Sequence, residues 1–331
     1  MKTFFLISFL WLSFKVVLSQ QEPFMIEGFA QGTTYHIKYF DNQARDFSSD
    51  ITKILQDFDL SVSTYNPASI ISRINRNEKN VVLDKTFITC FNKAKEVWKN
   101  TEGAFDPTVY PLVNAWGFGP GKKQMINKTR IDSILKFVGL EKISIKKNKI
   151  KKRDSRVALD FNAFAQGYSV DVVSEYLTKQ KISSYVVEIG GEVFAKGKTA
   201  DSLVWTVGIE EPIDNKETEN QLQAIAKLDS KGVATSGDYR RYQIIEGIKY
   251  AHHIDPKTGY PTKNNLLSAS VFAPDCISAD ANATGILVMG LEKAKVFLTQ
   301  HPELQVYLIY SDEKGQYQVF QTEGMKDIIE H

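Results

Sequence analysis

Residues 279–285 read Ala279-Asp280-Ala281-Asn282-Ala283-Thr284-Gly285 and continue into the apolar segment 286–289, a pattern typical of a helix. In a helix, Asp280 and Thr284 lie four positions apart and share one face. A carboxylate and a hydroxyl are hard oxygen ligands of the kind that Mg²⁺ binds while it also holds a substrate phosphate. The small residues around them would let a bulky ligand approach closely. The stretch therefore predicts metal-assisted phosphoryl chemistry on a helix.

Two simpler interpretations of the same stretch remain open at the level of sequence. Asp280, or Ser278 before it, could cap the N-terminus of the helix. Thr284 could donate to the carbonyl group one turn earlier. A D-x-x-x-T pattern alone is too short to decide between these interpretations and a ligand site.

The composition is typical of a soluble globular protein. With 331 residues, of which 43% are hydrophobic and 24% charged, the chain is long enough to bury a large core. Its two cysteines, Cys90 and Cys276, have the spacing of neither a metal site nor a disulfide framework. Because no cysteine follows the N-terminal apolar segment, nothing supports a lipid anchor attached there.

The first 19 residues are predicted to form a secretory signal peptide. Lys2 precedes an apolar run from Phe4 to Phe14, and Val17-Leu18-Ser19 precedes the expected cleavage point. The run is too short to span a bilayer comfortably, and an uncleaved anchor is the alternative. We expect an exported, periplasmic protein with no transmembrane segment after cleavage, associated with the inner membrane only if the signal stays attached. Residues 20–331 are expected to form a single domain.

The charge balance argues against nucleic acid as a partner. Removal of the signal takes away Lys2 and Lys15 and no acidic residue, so that 39 basic and 39 acidic residues remain. A formally neutral chain is not drawn to nucleic acid or to an anionic membrane. The one basic run, residues 146–153, alternates with isoleucines and predicts an exposed hairpin with a solvated turn.

Strand and helix patterns interleave along the chain without a repeat. Because strands dominate the middle and helices flank them, the order predicts an α+β fold with mixed or antiparallel sheets, not a doubly wound one. No G-x-G-x-x-G follows a strand, which argues against a Rossmann oxidoreductase. Strands are predicted at 33–39, 156–161, 184–188, 204–209, 224–229, 242–245 and 267–272, with a terminal hairpin over 305–321. Helices are predicted at 49–60, 87–102, 129–138, 165–181, around Asp280 and at 292–300.

Seven short motifs, taken in order, resemble one protein family. They are G-T-x-Y at Gly32, S-T-Y-N at 63–66, A-F-D-P-T-V at Ala104, P-L-V-N-x-W-G-F-G at 111–119, T-S-G-D-Y at Thr235, H-I-D-P-x-T-G at His253 and D-A-x-A-T at Asp280. Each alone is weak, since glycine turns are common, but a chance concurrence of all seven is not expected. Over roughly residues 25–320 the chain closely resembles the FAD:protein FMN transferases, the ApbE-type flavin transferases.

The resemblance implies an α+β, ApbE-like architecture related to the T-fold. It also implies a reaction that uses FAD and Mg²⁺. Such enzymes transfer the FMN half of FAD through a phosphoester bond to a Thr or Ser hydroxyl of a target protein and release AMP. The implied partner is an acceptor flavoprotein, such as a subunit of a redox complex, which agrees with an exported enzyme.

The resemblance also implies roles for particular residues. Asp280 and Thr284 are expected to hold the metal together with the backbone carbonyl of Ala163. His253 is expected to act as general base or proton relay, with Asp255 of the same turn in the catalytic group. The residues expected to contact FAD are Gln31, Tyr65, Ala104, Phe105, Asp106, Gln166, Thr235, Ser236, Gly237 and His253.

General chemistry supports these roles. Attack on a pyrophosphate builds charge on bridging oxygens, which one Mg²⁺ can neutralise. A threonine hydroxyl becomes a good nucleophile when a neighbour accepts its proton, and a histidine suits that task. The alternative for His253 is a structural residue that braces the turn at Asp255, while Asp160 is expected to brace its own turn.

Three positions depart from the pattern of the family. Gln31 stands where the family often has Met, Gln166 where it often has Lys, and Asn162 where Gly is frequent. Loss of the lysine cation should weaken contact with the phosphates or ribose of FAD, although Gln166 can still donate a hydrogen bond. Asn162 affects the expected geometry of the Ala163 carbonyl.

Two other functions are compatible with these residues. With water as the nucleophile, the same site would be an FAD pyrophosphatase that yields FMN and AMP. A non-catalytic FAD-binding or storage protein is the other alternative, and the presence of Asp280, Thr284 and His253 argues against it.

Overall fold

The computed structural model describes residues 22–121, 125–212, 222–237, 242–245 and 248–330. The predicted signal peptide over residues 1–19 lies outside these ranges. Within them, no helix combines the length and the apolar character that crossing a membrane requires.

The predicted helices, and the predicted strands other than 156–161, occur with small shifts of their ends. The structure adds elements that the sequence did not predict, among them the strands Phe24–Ala30, Glu192–Lys196, Lys231–Gly237 and Ile248–Ala251 and the helices Ile70–Asn75 and Tyr110–Trp116. The helices are α1 (Ser48–Val62), α2 (Ile70–Asn75), α3 (Lys85–Asn100), α4 (Tyr110–Trp116), α5 (Lys128–Leu135), α6 (Ala165–Lys179), α7 (Cys276–Met289) and α8 (Leu291–Gln300). The strands are β1 (Phe24–Ala30), β2 (Thr33–Tyr39), β3 (Ile143–Lys146), β4 (Lys149–Lys152), β5 (Tyr185–Ile189), β6 (Glu192–Lys196), β7 (Trp205–Glu210), β8 (Leu222–Leu228), β9 (Lys231–Gly237), β10 (Tyr242–Ile245), β11 (Ile248–Ala251), β12 (Leu266–Ala273), β13 (Gln305–Ser311), β14 (Tyr317–Gln321) and β15 (Ile329–Glu330).

An eight-stranded antiparallel sheet forms the centre of the fold, in the order β1-β2-β5-β6-β9-β12-β13-β14. In β2, Tyr35, Ile37 and Tyr39 are buried at every second position, as expected when one face of a sheet packs on a core. A smaller sheet contains β15, β8 and β7, and the predicted hairpin in the basic run is formed by β3 and β4. The predicted α+β class with antiparallel sheets is confirmed.

Apolar packing covers both faces of the central sheet. On one face, Ile37 and Val187 pack with Leu55 of α1 and Val173 of α6. A second cluster of buried apolar side chains joins β12 and β13 to α7 and α8, and a third joins the central sheet to β7 and β8. The helices α2 to α5 contribute to a further cluster beside α6.

Helix α7 lies in the interior, where few polar side chains are tolerated. Ten of its 14 residues are buried, and they occupy every side of the helix. A helix that is apolar all round belongs inside a protein, so a carboxylate on it must have a specific partner or ligand. Asp280, only 7% exposed, is that carboxylate.

The strand predicted at residues 156–161 is wrong. Leu159 exchanges two hydrogen bonds with the side chain of Asn75, and the backbone N–H of Asp160 donates to the carbonyl oxygen of Pro107 at 2.8 Å. Because a side chain and a turn satisfy this backbone, the apolar residues here form a buried extended segment outside any sheet. That segment leads directly to Ala163 and the start of α6.

Candidate functional site

A cavity of about 330 Å³ opens where the start of α6, the middle of α7 and the end of β9 meet. Twelve of the fourteen residues predicted for the site line it. They are Tyr65, Ala104, Phe105, Asp106, Ala163, Gln166, Thr235, Ser236, Gly237, His253, Asp280 and Thr284. The fold therefore brings together segments that are up to about 220 residues apart in the sequence.

Asp280 does not cap its own helix. The N-cap of α7 is Asp275, whose side chain accepts a hydrogen bond from the backbone N–H of Ser278 at 2.9 Å. Asp280 lies one turn inside, and its Oδ2 accepts from the backbone N–H of Gly167, at the start of α6, at 3.0 Å. Its Oδ1 accepts no hydrogen bond from the part of the chain that the structure describes, and so is available to a ligand.

Thr284 bonds to another segment rather than back to its own helix. Its Oγ1 donates to the carbonyl oxygen of Ala163 at 3.2 Å and lies 3.3 Å from the hydroxyl of Ser236. The intrahelical bond that the sequence left open is therefore replaced by a contact across the cavity. The carboxylate of Asp280, the hydroxyl of Thr284 and the backbone carbonyl of Ala163 therefore lie together at one end of the cavity, and each offers an oxygen atom as a metal ligand.

The three oxygen groups of Asp280, Thr284 and Ala163 suit a hard cation. Mg²⁺ prefers oxygen ligands and keeps several coordination positions for water or phosphate, so one carboxylate and two neutral oxygens from the protein suit it. No group of three or more His, Cys, Asp or Glu that could hold a metal occurs among the described residues. A metal here would therefore depend on the carbonyl of Ala163 and the hydroxyl of Thr284 as well as on Asp280.

Burial is the main influence on the pKa of Asp280. Removal from water raises the pKa of Asp280 well above its usual value, the N–H of Gly167 lowers it, and the nearby carboxylate of Asp171 raises it further. A cation beside this carboxyl would reverse the effect by stabilising the charged form.

One wall of the cavity is aromatic and apolar. Phe105 is 2% exposed and its ring meets Phe164 edge-on at 5.6 Å between centroids. Tyr65, in contrast, lines the cavity and is 57% exposed, so its ring is accessible to a ligand in the cavity. Planar rings pack well on such a wall, which suits an isoalloxazine.

Asp106 lines the cavity, but its carboxylate is already engaged. Oδ1 accepts from the N–H and the hydroxyl of Thr108, and Oδ2 accepts from the N–H of Leu140 at 3.1 Å. Burial raises the pKa of Asp106, and these hydrogen bonds lower it. Its side chain therefore holds the loop after α3 in place.

Two adjacent imidazoles line the cavity. The ring centroids of His252 and His253 are 4.0 Å apart, and the ring of His252 also meets Phe118 at 6.4 Å. His253 is buried, whereas His252 is half-buried and so more open to a ligand. The sequence motif singled out only His253; the doubled histidine was the signal that both could face the site.

Asp255 is not among the residues that line the cavity. Its Oδ1 accepts from the N–H of Lys257 at 2.8 Å and its Oδ2 from the hydroxyl of Thr258 at 3.1 Å. The carboxylate therefore shapes the turn that follows the histidines, and its catalytic role stays a prediction.

Gln31 also lies behind the cavity wall rather than in it. Its Oε1 accepts from the hydroxyl of Ser169 at 3.4 Å, and its buried Nε2 has no hydrogen-bond partner among the described residues. Gln166 and Asn162 do line the cavity, and Asn162 donates to the hydroxyl of Thr64 at 3.0 Å. The expected contact of Gln31 with the flavin stays a prediction.

Comparison with known proteins supports a single family. The sequence model of the ApbE family matches residues 31–308. The FAD:protein FMN transferase of Haemophilus influenzae is 37% identical over 318 residues, covering 92% of this chain and 91% of the relative. That of Vibrio cholerae is 34% identical over 302 residues, covering 89% of each.

Solved structures agree with the sequence matches. The flavin transferase ApbE from Vibrio cholerae superimposes with a TM-score of 0.84 at 32% identity, covering 93% of this chain and 99% of that one. The apo form of the Pseudomonas stutzeri flavinyl transferase ApbE also gives 0.84, at 28% identity, covering 94% of this chain and 98% of that one. With the family model matching most of the chain, this protein belongs to the ApbE family.

Proposed function

We propose that this protein transfers FMN from FAD to a Thr or Ser hydroxyl of a target protein and releases AMP. The names of its relatives support the reaction. The observation that carries the proposal is the convergence of Asp280, Thr284 and the Ala163 carbonyl on a cavity with an aromatic wall.

The reaction balances as a substitution at phosphorus. The acceptor oxygen forms a bond to the phosphorus of the FMN half, and the bond from that phosphorus to the oxygen bridging to AMP breaks. The hydroxyl proton is taken up by a base, and AMP leaves with the bridging oxygen. No oxidant or reductant is needed, because the flavin ring is carried unchanged.

Asp280, Thr284 and the carbonyl of Ala163 would hold a Mg²⁺ ion. A bound Mg²⁺ neutralises charge that develops on the phosphate oxygens and orients the substrate. The chain itself supplies the carboxylate at a fixed position, because Gly167 holds Asp280 through its second oxygen.

His252 and His253 are two proton acceptors that line the cavity. A general base must lie within hydrogen-bond reach of the hydroxyl that it activates. The half-buried ring of His252 is the more accessible, and the buried ring of His253 packs beside it at 4.0 Å. We assign the proton transfer to this pair.

Tyr65, Ala104 and Phe105 would contact the flavin. Aromatic contact fixes the plane of the ring and holds FAD while the phosphates lie near Asp280 and Gln166. Gln166, in place of a cation, would offer a neutral donor to that part of the ligand.

The N-terminal sequence supports a location outside the cytoplasm. A basic residue, a short apolar run and small residues at the expected cleavage point are features of a secretory signal. The acceptor would then be an exported flavoprotein or the exposed part of a membrane redox complex.

The test is mass spectrometry of the purified protein with FAD, Mg²⁺ and a domain that carries a candidate acceptor threonine. A domain heavier by FMN minus water, with AMP in equal amount, is the expected result. FMN and AMP in equal amounts, with no modified domain from any acceptor tried, would assign an FAD pyrophosphatase. FAD that stays intact in every condition would contradict an enzymatic role.

A further inference from the structure

Helices α6 and α7 are joined by two carboxylates, one from each helix. Asp280 of α7 accepts from the N–H of Gly167, at the start of α6. Asp171 of α6 accepts from the N–H groups of Cys276 and Ile277, at the start of α7, both at 2.8 Å. Gly167 and Asp171 are four residues apart, as are Cys276 and Asp280, so each helix presents its carboxylate to the N-terminus of the other.

The two helices approach each other closely at this point. A Cβ atom on Gly167 would lie 2.5 Å from the carbonyl oxygen of Cys276 and 2.8 Å from the Cβ of Asp280. Only a glycine fits there, because contacts shorter than 3.0 Å are not tolerated between such atoms. The position of α7 relative to α6 is therefore set within narrow limits.

The proposed metal ligands lie on both sides of this junction. The carbonyl of Ala163 precedes α6, whereas Asp280 and Thr284 are on α7. Mg²⁺ requires ligand oxygens at about 2.0–2.1 Å in near-ideal octahedral geometry. A shift of one helix relative to the other by a fraction of an ångström would therefore weaken metal binding.

Asp171 is placed to prevent that shift without contacting the ligand. It does not line the cavity, and both its oxygens are occupied by the start of α7. The oxygens of Asp280 and Ala163, in contrast, face the cavity and would be shared with a bound ion. The bonds of Asp171 are thus the ones across this junction that metal binding leaves untouched.

We propose that Asp171 is a positioning residue that holds Asp280 and Thr284 at the distance from the Ala163 carbonyl that metal binding needs. The inference rests on the metal site of the proposed function. Loss of a residue that orients a metal ligand commonly lowers metal affinity about 10–100-fold, which sets the size of the expected effect.

The chain offers a matched control at the same helix end. Asp275 also accepts from an N–H of the first turn of α7, that of Ser278, but it belongs to the segment that leads into α7. Asp275→Ala therefore removes a cap of α7 without releasing the helix from α6. Asp171→Asn turns an amide N–H₂ toward an N–H donor and so breaks one of the two hydrogen bonds by which Asp171 holds α7.

The experiment is a titration of the metal-free protein with Mn²⁺, in which free Mn²⁺ is measured by electron paramagnetic resonance. We expect Asp171→Asn to weaken Mn²⁺ binding about tenfold or more, and Asp275→Ala to change it by less than about threefold. Thermal unfolding in EDTA, measured in parallel, should show lower stability for both variants. Asp171→Glu keeps the charge but adds a methylene group, and it should weaken Mn²⁺ binding as well; it decides the matter if Asp171→Asn does not fold.

Equal Mn²⁺ affinity in wild type and Asp171→Asn would overturn the inference. So would equal weakening in Asp171→Asn and Asp275→Ala, because that would show a general effect of helix stability. Failure of the wild-type protein to bind Mn²⁺ would remove the metal site and the inference with it. Release of AMP from FAD, measured separately, would then show whether the proposed reaction survives without that site.

Discussion

The hydroxyl of Thr284 donates a hydrogen bond of 3.2 Å to the carbonyl oxygen of Ala163, 121 positions earlier in the chain. This bond joins the third turn of α7 to the last residues before α6. It places two neutral oxygen donors beside the carboxylate of Asp280, which is one turn back on the same face of α7. The geometry turns a short helical motif into a candidate ligand site.

Asp280→Asn should abolish metal-dependent turnover while the fold is kept. The amide oxygen can still accept from the N–H of Gly167, but the charge that would attract Mg²⁺ is lost. We expect AMP release from FAD to fall at least about 100-fold, which corresponds to about 2.7 kcal/mol of transition-state stabilisation. Asp275→Ala is the control, because it removes a helix cap worth about 1 kcal/mol and leaves the cavity intact. Unchanged turnover in Asp280→Asn would contradict the metal assignment.

Replacement of the two histidines one at a time should separate catalysis from structure. General bases contribute about 10²–10⁴-fold to rate. Because the ring of His252 is the more exposed, we expect His252→Ala to slow FMN transfer at least about 100-fold, with FAD affinity changed less than about tenfold. His253→Ala should give the smaller loss of rate; the reverse order would return the proton-accepting role to His253. Equal losses of rate and FAD affinity in both variants would indicate structural histidines.

Tyr65→Ala should weaken FAD binding without unfolding the protein. Its side chain is 57% exposed, so its removal leaves no cavity in the core. An aromatic contact contributes about 1 kcal/mol beyond burial, and the dissociation constant for FAD should therefore rise about fivefold. Titration of flavin fluorescence measures this, with Tyr317→Ala as a control at a similarly exposed tyrosine outside the cavity. Identical affinities in the two variants would exclude Tyr65 from the flavin site.

Ionisation of Asp171 and Asp280 should lower the stability of the metal-free protein as pH rises from about 4 to about 7. Burial raises the pKa of Asp171 to about 7, with Asp275 raising it and Lys93 lowering it, and burial likewise raises the pKa of Asp280. A carboxyl whose pKa is higher in the folded than in the unfolded protein stabilises the fold when protonated. That stabilisation is complete below about pH 4 and is lost as the pH rises through the folded-state pKa.

The measurement is thermal unfolding in EDTA across this pH range for the wild type and Asp280→Asn. We expect the unfolding temperature of the wild type, relative to the variant, to fall as the pH rises, because the variant lacks one of the two buried carboxyls. Added Mg²⁺ should reduce the fall, since it favours the ionised form of Asp280. A difference that is constant or increases with pH would contradict the raised pKa of Asp280.

The periodic elements could be predicted from the sequence, because their burial pattern is local. The alternation of Tyr35, Ile37 and Tyr39 defines β2, and the apolar segment 286–289 after Gly285 indicates the helix α7. The segment 156–161 could not be predicted, because the groups that satisfy its backbone are Asn75 and Pro107, which only the fold brings near.

The sequence by itself determined the α+β class, the family and the face that Asp280 and Thr284 share, since these follow from periodicity and motif order. The tertiary structure decided which groups those two residues meet. It brought the Ala163 carbonyl to Thr284, made Asp171 and Asp280 reciprocal partners of two helix ends, turned Asp255 into a brace of its own turn, and placed His252 beside His253. These relationships depend on contacts between residues far apart in the chain, and hydrogen bonds of 2.8–3.2 Å form only when the packed core fixes both partners.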